Sequence, residues 1–160
     1  SQLVELVTKE GKSPKTEFVG KSAKYILDKI GITVGDDVKV ILMEAKEDHP
    51  FVQVELMMPI LPVVRVPNVD QAIEMAVRVE HGNRHTAMMH SRNVEKLTKM
   101  AKLIQTTIFV KNGPSYAGIG VGGEGYTTFT IAGPTGEGLT SAKSFARRRR
   151  CVLVGGMDVR

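Results

Sequence analysis

LPVVRVPNVDQAIEMAVRVEHGNRHTAMMHSRNVEKLTKMAKLIQTTIFVK, Leu61 to Lys111, is the stretch that decides the fold. Leu61 to Val66 is a β-branched run that Pro67 ends, and it predicts a strand. Asn68 has a side chain suited to capping a helix, with Gln71 three residues on as its capping-box partner. Val69, Ala72, Ile73, Ala76, Val77 and Glu80 trace a mostly apolar stripe at helical spacing, and Gly82 ends it. His85 to His90 predicts a second strand. Asn93 then caps a second helix, on which Val94, Leu97, Met100, Ala101 and Ile104 share a face. Thr106 to Lys111, TTIFVK, predicts a third strand. Strand, helix, strand, helix, strand is the order of an α/β fold, with a parallel or mostly parallel sheet and helices packed on it.

Outward from this stretch the pattern is sparser. Gly20 to Ile30 predicts a helix, with Ala23, Ile26, Leu27 and Ile30 on one side and Gly31 closing it. Val38 to Met43 predicts a short strand. His49 to Met58, HPFVQVELMM, alternates briefly and then turns apolar. The first 35 residues thus offer one helix and no matching strands. Beyond Lys111 the periodicity stops: Asn112 to Gly138 holds nine of the chain's 16 glycines. A segment of this kind is usually a functional or subunit-facing loop. Arg149 to Val154, RRCVLV, predicts a final strand.

Composition narrows the classes of function. The chain has 160 residues, 42% of them hydrophobic and 24% charged, which suits one domain with a core. Its longest apolar run, Leu56 to Val64, is far shorter than the roughly 20 residues of a membrane span and is interrupted by Pro59 and Pro62. The opening residues lack the pattern of a secretory signal, and one cysteine allows no intrachain disulfide, so a cytoplasmic protein is expected. The net charge of +5 favours anionic partners. Much of it sits in Arg147 to Arg150, which suits a solvated or subunit-facing strand end. It also motivates a rival reading as a basic nucleic-acid-binding module. Against that reading, no aromatic platform accompanies the arginines.

The candidate chemical groups are few. Cys151 lies in an alternating stretch near the chain end, which fits a structural, half-buried thiol better than a nucleophile. His49, His81, His85 and His90 have no cysteine or paired carboxylate beside them, and no metal site is expected. Gly118 to Gly125, GIGVGGEG, lacks both the helix and the Lys-Ser/Thr pair of a phosphate loop, so it reads as a channel wall. Glu55, set between Val54 and Leu56, needs a partner, and a structural partner and a ligand are equally compatible with its surroundings.

These residues also carry a resemblance. HPFVQVELMMPILPVVRVPNVDQAIEMAV, His49 to Val77, is similar to the aldehyde dehydrogenase superfamily, in which a Glu and, after a short spacer, a Pro lead into a strand and the next helix. Glu55 through Pro59 matches that segment. NGPSYAGIGVGGEGYTTFTIAGPTGEGLTSAKSFARRRRCVLV, Asn112 to Val154, resembles the CoA-acylating aldehyde dehydrogenases of propanediol and ethanolamine utilisation. The likeness runs from about Phe18.

It implies that residues 1–146 are part of the aldehyde dehydrogenase catalytic domain, and that 147–160 form a C-terminal oligomerisation arm whose strand joins a neighbouring subunit. The implied reaction converts a short-chain aldehyde, NAD and coenzyme A to acyl-CoA and NADH through a cysteine thioester. No catalytic residue is expected in this chain, because the family's nucleophile and cofactor-binding domain lie upstream of the matched region. By the same resemblance Glu55 hydrogen-bonds the nicotinamide ribose. Met57 takes a position where many relatives carry an aromatic against the nicotinamide. Thr130 and Ile131 line the aldehyde and CoA channel. A homo-oligomer is implied, without nucleic acid or membrane, in the cytoplasm or a bacterial microcompartment. A non-acylating, hydrolytic dehydrogenase is the nearest alternative.

Overall fold

The computed structural model describes residues 2–128, 131–132, 138–152 and 154–155. They form two compact units, Ser1–His81 and Gly82–Arg160. Their strands pair two by two, so the expected sheet is present as separate two-stranded ladders.

The first unit opens with helix α1, Gln2–Val7, and a hairpin of β1, Thr8–Lys9, with β2, Ser13–Pro14. That antiparallel pair corrects the expectation of no matched strands near the start. Two-residue strands are too short to show alternation. Helix α2, Ala23–Asp28, is shorter than the Gly20 to Ile30 expected. Ser22 caps it by accepting a hydrogen bond from the Tyr25 amide at 3.2 Å. Gly31, at φ 76, lies in the left-handed turn that follows.

Strands β3, Ile41–Glu44, and β4, Ile60–Val63, run parallel, with Ile41 opposite Ile60 and Glu44 opposite Val63. Between them lies a one-turn helix, α3, Pro50–Gln53, within the ambiguous His49 to Met58 stretch. Its cause is local. His49 Nδ1 accepts from the Phe51 amide at 3.1 Å, and Pro50 supplies a helical φ where no N–H is needed. Val7, Phe18, Ile26, Phe51, Leu56 and Ile60 form the buried cluster that holds these pieces together. Helix α4, Val69–Val79, is capped by Asn68, whose Oδ1 accepts from the Gln71 amide at 3.0 Å, and it buries Ile73.

The second unit repeats the parallel theme. β5, Thr86–Met89, pairs parallel with β6, Ile108–Lys111, and α5, Val94–Ile104, connects them. Asn93 caps α5 through the Lys96 amide at 3.0 Å. Leu97, Met100 and Ile104 are its buried face, and Ile108 and Val110 are buried on β6. A short antiparallel pair follows, β7, Ile131–Ala132, with β8, Gly138–Leu139.

One expectation at the chain end, the burial of Cys151, is corrected. The described residues of Arg149 to Val154 carry no strand. A strand exists only through its ladder, and within the single chain the described residues here have none. Cys151, expected half-buried, is exposed for the same reason.

Candidate functional site

Glu55 and Met57 lie on the turn between α3 and β4. The alternation that begins at Val54 decides their placement. Leu56 points into the cluster and is 6% exposed, whereas Glu55 is exposed and Met57 is 57% exposed. Glu55 therefore needs no buried partner, since its apolar neighbours turn inward while its carboxylate faces water. Met57 adopts φ 53, a left-handed conformation that costs a non-glycine residue about 1 kcal/mol or more. The Gly20 amide donates to the Met57 carbonyl at 3.1 Å and holds that turn in place.

Beside Met57 opens a cavity of about 640 Å³. Gly20, Lys21, Lys24, Asp36, Lys39 and Met57 line it. Lys24 Nζ stands 3.0 Å from Asp36 Oδ1, and Lys39 Nζ donates to the Asp36 main-chain oxygen at 2.6 Å. Lys21 lies over the Tyr25 ring, 5.5 Å from its centroid. These lysines were not among the residues singled out from the sequence. Their signal is the Gly20-Lys21-Ser22 run, which reads equally well as the entry to a helix.

In the second unit the glycine-rich segment forms its own concavity, of about 500 Å³, outside the carboxyl end of β6. Ser115–Ile119 is a 3₁₀ helix, and Gly120 to Thr128 contains no helix. Asn112, at φ 57, turns the chain out of β6. Its side chain accepts from the Ser91 amide at 2.7 Å and donates to the Ser91 carbonyl at 3.0 Å. Gly125 has no room for a side chain, because a Cβ there would stand 2.5 Å from the Gly118 carbonyl oxygen. The Tyr126 hydroxyl donates to the Leu139 carbonyl at 2.6 Å, and Thr128 and Thr140 share a hydroxyl hydrogen bond of 3.0 Å. Ile131 sits in β7 opposite Leu139. Thr130 lies outside the described residues.

The remaining candidates are scattered. His49 serves as a cap with its ring edge-on to Phe51, and His85 Nδ1 is 2.7 Å from the Thr86 hydroxyl. Among the described residues no three His, Cys, Asp or Glu side chains are grouped to hold a metal ion, and no helix is long and apolar enough to cross a membrane. The Glu47 carboxylate is perturbed. The Arg78 guanidinium hydrogen-bonds Glu47 at 2.8 and 3.1 Å and holds its carboxyl below the ordinary value. That pair braces α4 against the β3–α3 connection, so its role is structural.

Comparison with known proteins places these features in context. The model of the aldehyde dehydrogenase family matches residues 38–137. The chain is 53% identical over 143 residues to the acetaldehyde dehydrogenase (acetylating) EutE of Salmonella typhimurium, covering 89% of this chain and 31% of that protein. It superposes on the Rhodopseudomonas palustris propionaldehyde dehydrogenase, solved with bound CoA and an acylated cysteine. There the TM-score is 0.88 and the identity 69%, over 99% of this chain and 36% of the other. A propionaldehyde dehydrogenase from the Clostridium phytofermentans fucose utilisation bacterial microcompartment gives a TM-score of 0.85 at 49% identity, over 99% of this chain and 36% of the other. The chain thus spans about a third of the length of the relatives it matches.

Proposed function

The chain belongs to the aldehyde dehydrogenase family, and from that premise we propose that it is the catalytic-domain part of a CoA-acylating enzyme. The overall conversion is a short-chain aldehyde, NAD and CoA to acyl-CoA, NADH and a proton. A cysteine thioester carries the acyl group between the two half-reactions. NAD, when bound, supplies the hydride acceptor.

One observation carries the reading. Glu55 and Met57 both face outward from a single turn, with Leu56 buried between them as its anchor. In this role the Glu55 carboxylate accepts hydrogen bonds from the ribose hydroxyls of the nicotinamide half. The Met57 thioether packs against the ring, a soft surface in the place of an aromatic. The strained φ of Met57 fits such a role, since strain of this kind concentrates where a ligand is clamped. Thr130 and Ile131 belong to the wall of the aldehyde and CoA channel, with the glycine-rich segment permitting close approach of the substrate.

The nucleophile of this reading is not Cys151, which is exposed and does not match the motif of the family's nucleophile. Residues 1–146 are assigned to the catalytic domain and 147–160 to an arm that pairs with a neighbouring subunit. The exposed Val152 and Val154, at 68% and 86%, support that arm as a strand awaiting a ladder. The setting is the cytoplasm or, as for the Clostridium phytofermentans relative, a bacterial microcompartment.

The test begins with the 160-residue chain, propionaldehyde, NAD and CoA, following NADH absorbance. No turnover is expected. Turnover that vanishes in Cys151→Ser overturns the assignment. In the longer enzyme that carries this sequence, Glu55→Gln is expected to raise KM for NAD while leaving KM for CoA unchanged. Activity that persists undiminished when CoA is omitted selects the hydrolytic alternative.

A further inference from the structure

We propose that Asn112 and Gly113 form a self-modifying pair, in which the neighbouring amide and water convert the asparagine to aspartate and isoaspartate. The bridge from Asn112 to Ser91 sets the rate. The proposal does not depend on the cofactor reading.

Sequence and placement together single out the pair. Four asparagines stand in the chain, and only Asn112 precedes a glycine. Asn68 and Asn93 precede Val69 and Val94, whose branched Cβ crowds the amide that would have to attack. Asn83 precedes Arg84, which also carries a Cβ. Gly113 has none, so its amide nitrogen is open to approach. Asn112 is exposed just past the carboxyl end of β6, where water reaches it.

The chemistry needs no reactant besides water. The Gly113 nitrogen attacks Asn112 Cγ, an N–Cγ bond forms, and the Cγ–Nδ2 bond breaks. Nδ2 leaves as ammonia, carrying off the Gly113 amide proton, and a succinimide ring remains. Water then opens the ring at either carbonyl. Opening at the side-chain carbonyl gives aspartate. Opening at the main-chain carbonyl gives isoaspartate, with the backbone rerouted through Cγ. Nothing is oxidised or reduced.

The fold supplies the brake. Asn112 Oδ1 accepts from the Ser91 amide at 2.7 Å and Nδ2 donates to the Ser91 carbonyl at 3.0 Å, so both ends of the side-chain amide are held. The leaving atom is itself one of the bonded atoms, and it departs only once the bridge has opened. Conversion then removes the brake for good. An aspartate has no donor for the Ser91 carbonyl and sets a charged oxygen against it. Isoaspartate lengthens the main chain by one methylene at the wall of the glycine-rich concavity, which Asn112 and Gly113 line. The exit from β6 is thereby loosened irreversibly.

The experiment incubates the 160-residue chain in neutral buffer, native and in guanidinium chloride. Peptide mass spectrometry follows each asparagine, and an isoaspartyl methyltransferase scores isoaspartate. Conversion is expected at Asn112 ahead of Asn68, Asn83 and Asn93. Two partly solvated hydrogen bonds should slow it on the order of tenfold in the native chain relative to the unfolded one. Gly113→Ala should slow conversion in both states. A Cβ there meets Val110 Cγ1 at 3.3 Å, a contact that a small shift relieves, and the Ser91 amide should keep its exchange protection. Equal rates in the native and unfolded chain overturn the proposal. So does earlier conversion at another asparagine, a Gly113→Ala variant that converts as the parent does, or a native Asn112 still intact long after the unfolded chain has reacted fully.

Discussion

Asn112 is where β6 ends and the glycine-rich segment begins, and replacing it tests whether that junction works as described. Its amide donates to the Met89 carbonyl at 3.0 Å, while its side chain bridges both backbone groups of Ser91. Asn112→Gly keeps the left-handed backbone and loses two partly solvated hydrogen bonds, at a cost of about 1–2 kcal/mol. Asn112→Ala loses the same bonds and adds about 1–2 kcal/mol for holding a Cβ at positive φ. The greater freedom of glycine in the unfolded chain offsets about 0.4–1 kcal/mol of that difference. Alanine should therefore be the worse variant by about 0.8 kcal/mol, the difference between the midpoints of the two preceding figures.

The overall ranking comes from urea unfolding followed by circular dichroism. The local readout is hydrogen exchange of the Ser91 amide, which loses its acceptor in both variants and should exchange about tenfold faster for each 1.4 kcal/mol lost. Equal stability of the two variants within about 0.3 kcal/mol refutes the strain argument, a margin set by how well such differences are measured. An unchanged Ser91 exchange rate refutes the bridge.

Three further outcomes are expected. Asn68→Ala and Asn93→Ala each remove an N-cap and should each lower stability by about 1 kcal/mol in urea unfolding, while serine at either position should retain most of it. Glu47 should titrate below its ordinary value when followed by its carboxyl carbon shift, and should rise in Arg78→Gln. Because folding depresses this carboxyl, its contribution to stability is present above the unfolded value and is lost as pH falls through the folded one. Gly125→Ala places a methyl against the Gly118 carbonyl and the Gly120 amide. It should disorder the loop, seen as loss of the Tyr126 hydrogen bond to Leu139, while β5 and β6 keep their amide protection.

Helices were the most legible part of the sequence. Asn68 and Asn93 announced α4 and α5 because a capping side chain and an apolar stripe are both local, and each is satisfied within a dozen residues. The strands were found but drawn too long. His85 to His90 became Thr86–Met89, and Leu61 to Val66 became Ile60–Val63, since β-propensity continues where pairing has stopped. His49 to Met58 resisted because Phe51, Leu56 and Ile60 all supply one cluster, so its apolar positions follow no single period. The turn bearing Glu55 and Met57 was identified by its likeness to a family, yet its geometry was not legible. Left-handed φ at a methionine has no signal in composition.

By itself the sequence determined the parallel α/β connectivity, the caps, the glycine-rich break after Lys111 and the family to which the chain belongs. Each depends on neighbours within a few residues or on a long ordered match. Tertiary structure alone decided what Glu55 faces, why Met57 is strained, and that Lys21, Lys24 and Lys39 meet at one cavity. It also left the described residues of Arg149 to Val154 without a strand within the single chain. These are matters of distance between residues remote in sequence, or of a partner's presence, and no local pattern encodes them.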